Sequence, residues 1–283
     1  MKETIKVEIQ APQYTVDQDV TFAQVDAWYG HVTRDLKMDI IYPEDTTRNY
    51  PCIVWICGGA WLRMDVGAHL AYLSQLARAG FVVASVEYRT SNEVEFPGAL
   101  EDIKAGIRYL KAHAKRYHID TEHFGVMGES AGGHLTAMTA LTGKEKIYDK
   151  GAYLEYSSEV QAACPWYVPS DISAIPGQDL REMASSPESL LVGVNVVKDP
   201  DRAKAASPVY QVKKDAPPFL LIHGTQDRTV PFEQSELLYD ALEKEGIPVD
   251  LLALEGADHA DLAFFQNEIW ERIIKFFHDT LIK

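Results

Sequence analysis

The stretch His123-Phe124-Gly125-Val126-Met127-Gly128-Glu129-Ser130-Ala131-Gly132-Gly133-His134-Leu135 constrains the fold more than any other. It reads as a short buried strand, a sharp turn and the start of a helix. Glycines flank the serine for a steric reason: an abrupt strand-to-helix turn strains its central residue, and neighbours without side chains let the two arms approach. The serine oxygen is then held at the tip of the turn, at a helix N-terminus whose free N–H groups favour negative charge. An ordinary Gly/Ser turn has the same five-residue pattern, but the apolar strand before it and the Ala/Leu helical pattern after it supply the context of a nucleophile.

The flanking sequence repeats the strand–helix alternation. Thr21 to Val25 and Leu36 to Tyr42 have strand character and read as an antiparallel edge. Pro51 to Cys57 is a continuous apolar run, the mark of a strand covered on both faces, and it stops at Gly58-Gly59-Ala60-Trp61. Leu70, Leu73, Leu76 and Ala77 fall at helical spacing, Gly80 ends that helix, and Phe81 to Val86 is a second buried strand. Pro97 opens a helix with Leu100, Ile103, Ile107 and Leu110 on one face. After the serine come a helix to about Leu141 and strands at Val160 to Tyr167, Phe219 to His223 and Val249 to Leu254. A helix starts at Pro231, and another carries Ile269, Ile273 and Phe276. The pattern predicts one α/β domain over residues 1–283, a mostly parallel sheet flanked by helices. Between Ser170 and Val209 it weakens, which predicts a small helical insertion over the carboxyl edge of the sheet.

A serine hydroxyl is a weak nucleophile at neutral pH and needs a base, held in turn by a third group. Ligands of such sheets bind at the carboxyl ends of the strands, so the base and acid are sought on the later loops there. His259 follows the last strand; His278 lies within the closing helix, His223 reads as a structural histidine at a strand end, and His134 suits packing beneath the turn. For the acid, Asp227 follows the preceding strand. Asp258 is the rival, but it adjoins His259, and neighbours on a loop usually point apart. Backbone N–H groups for an oxyanion are expected from Ala131, Gly58 and Gly59. Trp61, Trp166 and Tyr167 lie near strand ends as pocket-wall candidates, with core packing as the alternative for each.

The net charge of −15 argues against nucleic acid and anionic membrane surfaces as partners. No segment reaches the length of a membrane span, and Met1 to Glu8 lacks the apolar run of a secretory signal. Three cysteines, Cys52, Cys57 and Cys164, make no complete disulfide framework. A reduced, cytoplasmic protein is the simplest account, although a chain whose signal had been removed would look the same. There is no H-E-x-x-H, phosphate loop or cysteine cluster, so neither metal nor cofactor is expected.

Taken together, Cys57-Gly58-Gly59-Ala60-Trp61, Glu87-Tyr88-Arg89, Phe96 to Asp102, Gly128 to Leu135, His223-Gly224-Thr225-Gln226-Asp227 and Asp258-His259 resemble the α/β-hydrolase superfamily. The resemblance is nearer to carboxylesterases of the hormone-sensitive-lipase type and relatives acting on carbohydrate esters. It covers most of the chain, and the order Ser130, Asp227, His259 is the order of that superfamily. It implies a Ser-His-Asp esterase of small acyl esters, with acetyl or feruloyl esters of sugars among the candidates, working through an acyl-enzyme. Cys57 stands where that family's loop usually has histidine. A nucleophilic Cys57 is the sharp alternative, and a buried small hydrophobe the simpler one. Three other readings are an amidase resembling kynurenine formamidase, a prolyl-oligopeptidase-like peptidase, disfavoured for want of a propeller-length domain, and a ligand-binding protein on the hydrolase fold. An exposed edge strand or the last helix offers a surface for a homo-oligomer, and nothing in the sequence decides between one subunit and two.

Overall fold

The computed structural model describes residues 1–9, 12–27, 30–175 and 186–282. Its elements in chain order are β1 (Tyr14–Ala27), β2 (Val32–Pro43), β3 (Tyr50–Ile56), α1 (Leu70–Arg78), β4 (Val82–Val86), α2 (Gly98–Ala112), α3 (Ala114–Tyr117) and β5 (Ile119–Glu129). Then follow α4 (Ala131–Leu141), β6 (Ala162–Trp166), α5 (Pro187–Val192), α6 (Pro200–Ala205), β7 (Phe219–Gly224), α7 (Glu233–Lys244), β8 (Val249–Leu254) and α8 (Asn267–Leu281). The strands form one eight-stranded sheet in the order β1-β2-β4-β3-β5-β6-β7-β8, an α/β-hydrolase fold. β1 and β2 run antiparallel and β3 to β8 parallel.

Side chains alternate across the strands and so feed two cores. Val54, Ile56 and Val126 meet Leu100, Ile103 and Ile107 of α2, Leu135 and Met138 of α4, and Leu238 and Leu242 of α7. On the other face Ile53, Trp55, Met127 and Ile222 meet Leu73 and Leu76 of α1 with Ile269, Ile273 and Phe277 of α8. The first two strands extend well beyond the predicted Thr21 to Val25 and Leu36 to Tyr42. β1 is half exposed and paired on one edge only, so its polar residues carry ladder bonds without an apolar signal.

From β3 the chain moves to β4 on one side, then crosses back to β5 on the other. The strand order therefore reverses between β3 and β5, where open α/β sheets leave a crevice for ligands. Gly58-Gly59 and Ser130 follow the carboxyl ends of these two neighbours.

The long loop between α4 and β6 is held by buried cations of α2. Lys104 Nζ donates to the carbonyls of Thr142 (2.7 Å) and Glu145 (3.1 Å) and lies 3.6 Å from Asp149, which also pairs with Arg108 (3.1 Å). These bonds add a charged donor to carbonyls that otherwise accept, among the described residues, only the turn N–H groups of Glu145 and Tyr148. Residues 176–185 of the expected insertion lie outside the described residues. The described remainder holds α5 and α6, is tied to Ser170 by Val209 N–H (3.1 Å), and reaches α4 through the Ala206 carbonyl, 2.6 Å from His134 Nε2.

Candidate active site

Ser130 sits between β5 and α4 with φ 53° and ψ −120°, a region that non-glycine residues avoid. Such a backbone stores about 1–3 kcal/mol and persists only where its surroundings hold it. Here they do so closely. A Cβ on Gly128 or Gly132 would overlap the Ile56 carbonyl oxygen, and one on Gly133 would lie 2.5 Å from the Trp166 carbonyl oxygen. The ends of β3 and β6 thus press on the turn, and glycine is what fits. Ser130 N–H donates to Trp166 O at 3.1 Å, fixing the turn to β6.

His259 and Asp227 converge on this serine from the loops after β8 and β7. His259 Nε2 lies 3.0 Å from Ser130 Oγ, and Nδ1 lies 2.7 Å from Asp227 Oδ2. Asp227 Oδ1 accepts the N–H groups of Thr229 and Val230, both at 2.8 Å. Burial pushes the Asp227 carboxyl up, but hydrogen bonds from His223 and His259 outweigh it and hold it well below the usual carboxylate range. An anionic Asp227 fixes Nδ1 as the protonated nitrogen of a neutral His259 and turns the free Nε2 lone pair to the serine.

The rival acid is turned away. Asp258 accepts the Arg228 N–H (3.0 Å) and its Nε–H (2.7 Å), and so ties the β7 loop to the β8 loop. His223 is fully buried; its Nδ1 faces Ser235 Oγ (2.6 Å), and its Nε2 lies 2.8 Å from Val230 O and 3.3 Å from Asp227. It braces the acid from behind.

Of the expected oxyanion donors, Gly59 and the Ala131 N–H that opens α4 have no acceptor among the described residues. Gly58, the third expected donor, packs on the residue before the nucleophile: a Cβ there would be 2.8 Å from the Glu129 carbonyl oxygen and 3.3 Å from its Cγ. The Cys57 thiol is pushed up to about 11 by burial, which keeps it neutral and unreactive.

A cavity of about 510 Å³ opens over these groups, lined by Gly58, Gly59, Leu62, Tyr167, Thr229 and Ala260 together with Ser130 and His259. A larger one, about 730 Å³, lies along β8 and α8 and contains none of them. Two of the three aromatic candidates are absent from the wall of the first cavity. Trp61 is buried, its Nε1–H donating to His134 Nδ1 at 3.2 Å. Trp166 is inside a cluster with Trp55, Phe264 and Trp270, because the strand end faces the α8 core rather than the crevice. Tyr167 does reach the cavity; its ring lies edge-on to His259, 4.6 Å between centroids, and its hydroxyl donates to Glu129. Sequence reasoning missed Glu129 and His69, whose Nε2 is 3.0 Å from Glu129 Oε1. Glu129 was legible as the variable position of the serine motif, whereas nothing local marks His69.

The model of the BD-FAE family matches residues 38–242. Among curated proteins, the chain is 34% identical to "Probable carboxylic ester hydrolase LipM" of Mycobacterium tuberculosis, covering 86% of this chain and 55% of that one. It is 30% identical to "Esterase LipC" of the same organism, over 75% and 53%. The chain thus spans about half the length of these relatives. Among solved structures, a truncated carbohydrate esterase from gut microbiota superposes with a TM-score of 0.85 at 30% identity, covering 97% of this chain and 100% of that one. The butyrate-bound esterase Est2 of Thermogutta terrifontis gives 0.74 at 26%, over 93% and 92%.

Proposed function

This chain belongs to the BD-FAE family, and from that premise we propose that it is a serine carboxylesterase of small acyl esters, acetyl or feruloyl esters of sugars being the substrate class. The observation that carries the reading is the relay from Asp227 through His259 to Ser130, with contacts of 2.7 and 3.0 Å. In the first step His259 Nε2 takes the Ser130 proton as Oγ attacks the ester carbonyl. Asp227 stabilises the imidazolium, and Gly58, Gly59 and Ala131 donate to the oxyanion. The imidazolium then protonates the leaving alcohol. Water, deprotonated by the same histidine, attacks the acyl-enzyme and releases the acid and free Ser130. The carbohydrate esterase neighbour supports sugar esters, and a cavity of about 510 Å³ has room for a small acyl group and part of a sugar. Residues 1–283 act as one hydrolase domain. Among the described residues no helix is long and apolar enough to cross a membrane.

The test is hydrolysis of aryl acetate, butyrate and octanoate by the protein and by Ser130→Ala, beside acetylated xylo-oligosaccharide and methyl ferulate. Turnover of short esters by the unmutated protein alone is the expected result, and release of acetate or ferulate assigns the substrate class. Activity surviving in Ser130→Ala overturns the nucleophile. Turnover of formylkynurenine without ester cleavage would move the assignment to an amidase.

A further inference from the structure

Glu129 is a buried carboxylate one residue before the nucleophile, and the acyl-transfer steps above do not use it. Three elements meet on it. His69, at the N-terminus of α1, places Nε2 3.0 Å from Oε1; Tyr167, after β6, donates its hydroxyl to Oε2; Gly58, after β3, packs against the stem, where a Cβ would be 3.3 Å from Glu129 Cγ. Burial pushes this carboxyl up, yet the His69 and Tyr167 bonds outweigh that effect and hold it below its ordinary value. A third side chain aims at the group from the limit of hydrogen-bond reach: Cys57 Sγ is 4.0 Å from the same Oε1. Position 57 therefore points at the carboxylate, and the close donor comes instead from residue 69.

His69 is held for this contact. Its backbone is left-handed, φ 66° and ψ 7°, a conformation costly for a residue with a side chain, and as the residue before α1 it makes no capping bond. Its ring stacks on Phe265, 4.9 Å between centroids, and lies edge-on to Trp55 at 5.7 Å. The loop it serves is in contact with the nucleophile, since a Cβ on Gly58 would be 3.2 Å from Ser130 Cβ. Glu129 packs on that loop directly, since the same Cβ would be 2.8 Å from its carbonyl oxygen and 3.3 Å from its Cγ, so holding Glu129 holds Gly58 and, one residue on, the Gly59 N–H.

We propose that His69 is a positioning residue for the oxyanion loop, acting through Glu129 and supplying the close donor where Cys57 gives only a long thiol contact. The proposal rests on the esterase reading. It predicts a loss in the chemical step rather than in substrate binding, because a loosened loop misplaces a donor that matters most to the developing oxyanion.

The experiment measures kcat and KM for an aryl acetate with the native protein, His69→Ala, His69→Gln, Cys57→His and C57H/H69A, each checked for folding by near-ultraviolet circular dichroism. His69→Ala is expected to lower kcat about 10- to 100-fold with KM little changed, in the range for a disturbed oxyanion donor. His69→Gln keeps an N–H donor and retains most of the rate. Cys57→His alone crowds an occupied carboxylate and slows the enzyme, whereas in the His69→Ala background it restores kcat at least about tenfold. Unchanged kcat in His69→Ala, or a loss that neither His69→Gln nor C57H/H69A relieves, overturns the assignment. Should His69→Ala not fold, a folded C57H/H69A with near-native kcat supports it and a folded but slow one overturns it. A native protein without ester turnover overturns the esterase reading and this proposal together; an active native protein with unresponsive variants overturns this one alone.

Discussion

His134 should make folding stability acid-sensitive, by an amount that follows from its surroundings. The side chain is fully buried in α4; Nδ1 accepts from Trp61 and Nε2–H donates to the Ala206 carbonyl. Both nitrogens are used, and only the neutral ring with its proton on Nε2 satisfies both. Burial pushes its pKa down from the ordinary 6.5 to about 4, against a smaller opposing effect of the Ala206 bond. The sign follows from linkage: between these values the unfolded chain binds a proton that the native protein refuses. The stabilisation is therefore fully present above about pH 6.5 and lost as pH falls towards 4, about 3 kcal/mol in all. Urea unfolding at intervals from pH 8 to pH 4.5 measures it, with His134→Gln as the reference because glutamine keeps a donor for Ala206 and does not titrate. The native protein should lose about 2.5 kcal/mol more than the variant over that range. Parallel curves would refute the reasoning, whatever the absolute stabilities.

Four further outcomes separate the roles assigned above. Asp227→Asn should cut kcat by about 10³- to 10⁴-fold in a folded protein, since the histidine loses its oriented tautomer. Asp258→Asn should leave kcat/KM within a small factor, because that carboxylate serves Arg228 at the surface; the reverse pattern in these two variants would exchange the acids. Gly132→Ala should unfold the protein or lower its urea midpoint strongly, as the added carbon overlaps the Ile56 carbonyl and the crowded backbone has nowhere to move. Lys104→Met should destabilise by about 2 kcal/mol, by leaving buried Asp149 short of a cation and removing a charged donor from the Thr142 and Glu145 carbonyls, with esterase activity per folded molecule unchanged.

What the sequence made legible is what the local backbone dictates. The serine turn announces itself because close packing on Ile56 and Trp166 admits only glycine around it, and the β3 run because burial on both faces admits only apolar residues. His259 and Asp227 were found by their places after successive strands, a topological signal. Trp61 and Trp166 were misplaced because nearness to a strand end does not say which way a ring turns; Trp61 finds its acceptor on α4, and Trp166 the aromatic side of α8. His69 was invisible for a stronger reason. Its contact with Glu129 joins residues 60 positions apart through a left-handed backbone that no histidine signals in advance.

The same contacts indicate where substrate preference can change without disturbing the chemistry. Ile56, at the end of β3, presses on both glycines of the serine turn, and Gly58 lies on Ser130 itself, so nucleophile and oxyanion loop move as one body. A substitution there that alters pocket shape also misplaces a reacting group, and the steep distance dependence of preorganised electrostatics makes that costly. Leu62 lines the cavity from this same loop, its N–H on the Gly59 carbonyl at 3.0 Å, whereas Thr229 and Ala260 line it from loops outside the packed unit. Ala260 has a left-handed φ of 54° directly after the base, so exchanging it risks the His259 rotamer. Thr229 is therefore the position at which acyl and alcohol preference can be altered with the nucleophile and oxyanion loop left in place.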